Sequence, residues 1–223
     1  MNLMKITLLS CSIYSSFSQN FKGFNAGLNV GGCMISNVHK FIKQTGDDEP
    51  GSASEKSFAM ALSGFVGYNY VTSGRKIIGI DLHIGKIFGQ NKNKMRDKKN
   101  TLLYEYSTKP SMHFGGCIVL GMLLNQSSVL YLKAGYGTYK ISLDYLKSQF
   151  STNVPNQSLN LSFKTPIIGA GLIYRFGQKS FVGVEYNFFY ASAQKNQEQS
   201  ATLYELTYNP SMHHLYFKMG CFF

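Results

Sequence analysis

The 223-residue sequence has no tryptophan, only four cysteines, and charged side chains at just 15% of its positions. Each shortage excludes something. No apolar run approaches the roughly 18 residues that a transmembrane helix needs, so helical membrane spanning is ruled out. Charge falls well below the roughly one quarter usual in soluble domains, which argues against a soluble enzyme of this size. Cys33, Cys117 and Cys221, the cysteines beyond Cys11, are odd in number and show no C-x-x-C spacing. That pattern fits neither a zinc cluster nor a disulfide scaffold, and no metal or cofactor is expected. One bridge could still form, and nothing in the spacing selects its partners. The few charges are also lopsided, with 22 basic residues against 11 acidic and a formal net charge of +11.

What the chain has instead is glycine (22 residues), tyrosine (15), phenylalanine (17) and a strict alternation. In the C-terminal "HLYFKMGCFF", Leu215, Phe217, Met219, Cys221 and Phe223 fall on one face. His214, Tyr216, Lys218, Gly220 and Phe222 fall on the other. A repeat of two residues is the signature of a strand with two unlike faces. The same pattern recurs over 22–35, over 58–71 and in "KIIGIDLHIGKIFG", where Ile78, Ile80, Leu82 and Ile84 oppose Gly79, Asp81, His83 and Gly85. It returns around Leu130–Gly137, Ile167–Arg175 and Val182–Ala191, and least cleanly over 112–124, where "CIVLGMLL" is almost wholly apolar.

Eight such segments are joined alternately by tight turns (72–75, 125–128, 177–180) and by longer polar stretches (36–56, 90–100, 144–160, 195–207). Alternating short and long connections describe an up-and-down meander. Strands of about ten residues, greasy on one side and glycine-rich on the other, predict an eight-stranded antiparallel transmembrane barrel over 19–223. A soluble sandwich or lipocalin-like barrel would instead need a charged outer face, and the non-apolar face here is too sparsely charged. Tyr68, Tyr70, Tyr136, Tyr174 and Tyr190 sit near segment ends, as an interfacial belt requires. The opening "MNLMKITLLSCSIYSSFSQN" reads as a secretory signal over 1–18: Lys5, a short apolar region over 6–14, and Ser16-Phe17-Ser18 before cleavage.

One internal repeat stands out. "LYEYSTKPSMH" at 103–113 and "LYELTYNPSMH" at 203–213 lie 100 residues apart. Duplication of a four-strand half would put both where strands four and eight begin, with each proline at an outer strand end. Ser111/His113 and Ser211/His213 are also the one pair of S-x-H dyads a catalytic reading could use, but no spacing supplies an orienting acid.

These features together resemble the opacity-type, porin-family small barrels of Gram-negative outer membranes, relatives of the transmembrane domain of outer membrane protein A. The resemblance rests on the signal-like start, the "GFNAGLNVGG" first strand, four hairpins and the terminal Phe223 preceded by apolar residues at every second position. The absent tryptophan and the small Cys221 depart from the pattern. The resemblance implies an outer-membrane location and partners in outer-membrane lipids and lipopolysaccharide. It also implies recognition of Leu215, Phe217, Met219, Cys221 and Phe223 as a sorting signal by the barrel assembly machinery. Some such barrels deacylate lipid A with a lipid-facing Ser/His pair.

Counting inward from the short turns, Asp81, Lys133, Glu185 and Lys218 reach one level on the interior face, with His83 and Asn187 one step above. Arg175 lies nearer the periplasmic mouth. An eight-strand interior is narrow enough for side chains to fill, and buried charges must pair. The expectation is an interlocking polar plug, either a plain structural network or a gate. On the outside, Lys92, Lys94, Arg96, Lys98 and Lys99 form a basic loop suited to anionic surfaces such as lipopolysaccharide phosphates or host glycosaminoglycans. Nucleic acid is not expected, because no aromatics interleave for stacking on bases. The leading expectation is a non-enzymatic surface barrel serving envelope structure, adhesion or antigenicity. A narrow channel or hydrophobic-ligand conduit, and a lipid A-modifying enzyme, are the alternatives.

Overall fold

Period-two alternation produces one long antiparallel ladder after another. The computed structural model describes residues 21–43, 51–96, 102–148, 158–191, 194–197 and 204–223. The signal segment expected over 1–18 lies outside them. The strands are β1 (Gly23–Lys43), β2 (Gly51–Val71), β3 (Lys76–Phe88), β4 (Asn91–Arg96), β5 (Leu102–Leu123), β6 (Ser128–Ser148), β7 (Ser158–Phe176), β8 (Ser180–Tyr190), β9 (Gln194–Gln197) and β10 (Tyr204–Phe222). Their order is β1-β2-β3-β5-β6-β7-β8-β10, and β10 returns to pair with β1. β4 continues β3 along β5, and β9 continues β8 along β10, so the wall has eight staves. The closing ladder runs from Asn25↔Phe222 to Lys43↔Tyr204, and the Phe223 amide donates to the Phe24 carbonyl at 2.8 Å.

The outer wall is apolar. Leu28, Ile80, Ile118, Leu132, Ile168 and Val184 are exposed, and aromatic rings flank this band at both ends. Phe24, Tyr70, Tyr174, Phe176 and Phe223 lie toward the short turns; Phe58, Phe88, Phe114, Tyr136 and Tyr190 lie toward the long connections. An apolar belt bounded by aromatic girdles is how a barrel meets hydrocarbon and the two interfaces above and below it.

Three expectations need correction. First, much of the polar stretches is strand: 36–43, 51–56, 91–96, 144–148 and 158–160 extend the ladders. At about 3.3 Å per residue, the 21 residues of β1 rise about 50 Å after tilt, about twice the height of a typical apolar band. The hairpins therefore stand above the membrane.

Second, the two repeats are not structural equivalents. β5 shifts register between Pro110 and His113, so both face the lumen: His113 is 1% exposed and Met112, beside it, 45%. In β10 the faces are reversed: Met212 is buried and His213 lies on the outer side.

Third, neither proline is at a strand end. Pro110 lies opposite the interruption between β3 and β4, and Pro210 opposite that between β8 and β9. Ala191 donates to the Pro210 carbonyl, so the missing proline amide faces the same gap. A residue without an N–H cannot complete a neighbour's ladder, and the staves break there.

The interior is also more apolar than a glycine-lined hollow. Phe21, Phe65, Phe181 and Phe222 pack at the short-turn end, with Phe222 edge-on to Phe21 at 5.5 Å and 4.9 Å from Phe181. Toward the long connections, Ile35, Ile87, Tyr139, Ile141, Phe163 and Phe189 form a second apolar layer. The polar residues lie between the two.

Candidate functional site

Four inward side chains from three staves meet at one carboxylate. Glu185 of β8 is fully buried and accepts from Lys133 Nζ at 2.6 Å and Lys218 Nζ at 3.0 Å. Tyr131 donates to the same carboxylate at 2.5 Å and the Asn187 amide at 2.8 Å. Lys218 also reaches Asp81 Oδ2 at 3.1 Å, and its ammonium stands 4.0 Å above the Phe65 ring. The sequence places two cations and two anions at this level; strand tilt carries them into contact across as many as 137 residues of chain. Such a cluster is stable only when every member is partnered, because desolvation of each ion costs several kcal/mol, on the order of the attraction gained.

Glycine on the adjoining staves makes the space. A Cβ at Gly171 would run into the Tyr131 ring, and one at Gly169 would meet the Asn187 amide and the Lys133 stem. The glycine-rich inner face thus accommodates long side chains reaching over from neighbouring strands. One cavity of about 20 Å³ remains beside Asp81 and Lys218, room for about a single water.

Above the charges sits a layer of imidazoles. His83, 3.9 Å from Asp81, lies 5.8 Å from His113, which lies 5.3 Å from His214, and Phe189 packs against all three. His214 Nδ1 bonds the Tyr216 hydroxyl at 2.5 Å. Both His83 nitrogens, His113 Nδ1 and His214 Nε2 have no hydrogen-bond partner among the described residues, and no metal-binding cluster is found among them.

Of the sequence-derived lumen residues, Asp81, Lys133, Glu185, Asn187 and Lys218 are therefore in direct contact and His83 adjoins them. Arg175 sits at the mouth, level with Phe181 and beside the β7–β8 turn. Sequence reasoning missed Tyr131, Tyr216, His113 and His214. Three of these were legible, since they share parity with Lys133 or Lys218 on their strands. His113 was not, because the almost wholly apolar "CIVLGMLL" that follows it shows no inner face to share parity with.

The basic run does not form one loop. Lys92, Lys94 and Arg96 lie on β4, paired along β5, with Lys92 exposed; Lys98 and Lys99 lie outside the described residues. Leu215, Phe217, Met219, Cys221 and Phe223 all face outward. The three cysteines are free.

The dyads diverge too. Ser111 donates to the Lys140 carbonyl while His113 points inward. Ser211 and His213 share the outer side, but His213 Nδ1 is bonded to the Tyr186 hydroxyl at 2.6 Å, and no hydrogen bond joins it to Ser211 among the described residues.

A family model described as an outer membrane protein beta-barrel domain matches residues 6–209. No curated protein sequence matches. Among solved structures, the outer membrane protein OprG from Pseudomonas aeruginosa overlays with a TM-score of 0.58 at 8% identity, over 90% of this chain and 97% of that one. The outer membrane protease OmpT from Escherichia coli overlays at 0.52 with 14% identity, over 91% and 97%. Likeness at these identities extends to the fold alone.

Proposed function

Because the chain belongs to the outer membrane protein beta-barrel family, and so to the outer membrane of a Gram-negative bacterium, we propose that it is a non-enzymatic surface protein. In this reading the barrel is a sealed mount and the work is done by the hairpins above it. The observation that carries the proposal is the filled interior. The network of Tyr131, Lys133, Glu185, Lys218 and Asp81 lies between two apolar layers, with a void of about 20 Å³ beside Asp81 and Lys218. An eight-strand wall has no spare width for solute once side chains occupy it.

The hairpins supply the surface. β1–β2, β4–β5 and β5–β6 continue well past the apolar band, and β4 carries Lys92, Lys94 and Arg96 outward from the membrane. Exposed binding segments on a rigid scaffold are a general route to recognition. The basic run suits anionic surface polysaccharides through long-range attraction. Catalysis is disfavoured at Ser211/His213 because Tyr186, the partner of His213, brings no negative charge to stabilise an imidazolium.

Planar-bilayer recording tests the sealed lumen. Wild-type protein should insert without conducting, and Glu185→Ala should stay closed, because the apolar layers above and below the charges are untouched. Steady conductance from the wild type would overturn the reading in favour of a channel.

A further inference from the structure

The outer wall is not uniform around the barrel. Where the apolar band gives way to the long connections, lysines stand on one arc: Lys56 of β2, Lys86 of β3, Lys109 of β5, Lys140 of β6 and Lys164 of β7, all exposed. The wall formed by β8, β10 and β1 has Tyr190, His213 and Met34 at that height. Within the lysine arc one place differs from the rest. Lys164 pairs across with Thr138, and Lys140 with Ser162, so the two ammonium groups lie diagonally on adjacent strands with a hydroxyl beside each. Diagonal neighbours on one face are within reach of long side chains.

Neither Lys140 nor Lys164 has an ion pair among the described residues, whereas Lys109 is held by Asp144 at 2.6 Å and Lys86 lies over the Phe88 ring at 5.4 Å. Directly below the pair, the wall is indented. Gly116, the outward-facing glycine there, leaves a groove of about 350 Å³ between the rings of Phe114 and Tyr136, floored by the backbone of Gly115 and Gly137, with Thr138 and Lys164 at its upper edge. That volume lies at the low end of ligand pockets, about 300–1,000 Å³. The groove opens to the lipid side, since Phe114 and Tyr136 are exposed.

We propose that this groove is a binding site for one phosphorylated, acylated glycolipid of the outer leaflet: an acyl chain lies along Gly116 between Phe114 and Tyr136, and a phosphate sits on Lys140 and Lys164. The occupant follows from the chemistry. Two cations with no ion pair among the described residues, at the edge of hydrocarbon, call for an anion carried on an apolar tail, and the long-connection side of the barrel faces the leaflet whose glycolipids carry phosphate. The site depends on the placement of the barrel in the outer membrane and not on what the hairpins bind.

Gly116 offers a clean probe, because a Cβ there would meet only the flexible tip of Leu82, at 3.0 Å. Native mass spectrometry of detergent-solubilised protein titrated with bis-phosphorylated lipid A should show one lipid bound. K140Q and K164Q should each weaken it about fivefold, and about 25-fold together, as for lysines at an anionic membrane surface. Gly116→Leu should abolish binding by filling the groove. Gly64→Leu serves as the control, since Gly64 is close only to a backbone oxygen at 3.9 Å; it and the K56Q/K86Q pair should leave affinity unchanged. Dephosphorylated lipid A should bind no better than the double variant, and free inorganic phosphate should not compete. Equal loss in K56Q/K86Q, or wild-type affinity in both K140Q/K164Q and Gly116→Leu, overturns the site. Heat-modifiable gel mobility of every variant separates these outcomes from misfolding.

Discussion

Glu185 is the residue on which the interior turns. It satisfies Lys133, Lys218, Tyr131 and Asn187 at once, so its loss leaves buried cations without their counter-ion. Glu185→Gln keeps the shape and removes the charge; the cost should be about 3–5 kcal/mol, the range for breaking a buried pair from one side. Replacing both partners, as in K133M combined with Glu185→Leu, leaves Lys218 with Asp81 and should recover much of that loss. Urea unfolding in lipid vesicles would measure both. A double variant no more stable than the single one would show that shape, rather than charge, governs this position. Asp81, Lys133, Glu185 and Lys218 could be grouped from parity and depth alone. Tyr131 could not be weighted from sequence, because its hydroxyl matters only through a carboxylate 54 residues away.

At the level of elements, length and interruption carry the information. The polar stretches look like loops in sequence because they lose the apolar face, yet the backbone continues to pair wherever two such stretches run side by side. The face is lost because these rungs stand in water, and a strand needs an apolar side only where it meets hydrocarbon or a core. β4 is the clearest case: residues 91–96 of a basic run read as a loop are a short strand laid against β5 and broken from β3 opposite Pro110. Its charges are presented from a ladder and not from a free coil, which lowers the ordering cost of binding. Changing Lys92, Lys94, Arg96, Lys98 and Lys99 together to Gln should reduce binding to immobilised heparin at least about tenfold and flatten its salt dependence. Undiminished retention would place the anion-binding surface elsewhere.

For the whole molecule, closure is the governing fact. β1 and β10 zip along nineteen residue pairs, from Asn25↔Phe222 to Lys43↔Tyr204, leaving no free edge between first and last stave. The two terminal phenylalanines divide the labour: Phe222 turns in to pack on Phe21 and Phe181, while Phe223 faces out and its amide secures the seam. A closed ladder with every central backbone group paired resists detergent until heated. Protein extracted from outer membranes should therefore run faster on unheated gels than after boiling. Identical mobility in both lanes would mean that the barrel does not close. The same closure decides what can face what, since it brings β3, β6, β8 and β10 around a common axis.

The sequence by itself determined the class of fold, the number of staves, the lipid-facing side of every stave but the fourth and the depth of the interior charges. All of these follow from a two-residue period and from turn residues, which are local properties of the chain. The tertiary structure alone decided which partners the charges take, that apolar layers cap them above and below, that His113 points in while its repeat counterpart His213 points out, and that Lys140 and Lys164 adjoin a groove. Those outcomes depend on strand register and barrel tilt, and both are set by pairing between segments far apart in the chain, where a shift of one residue exchanges inside for outside.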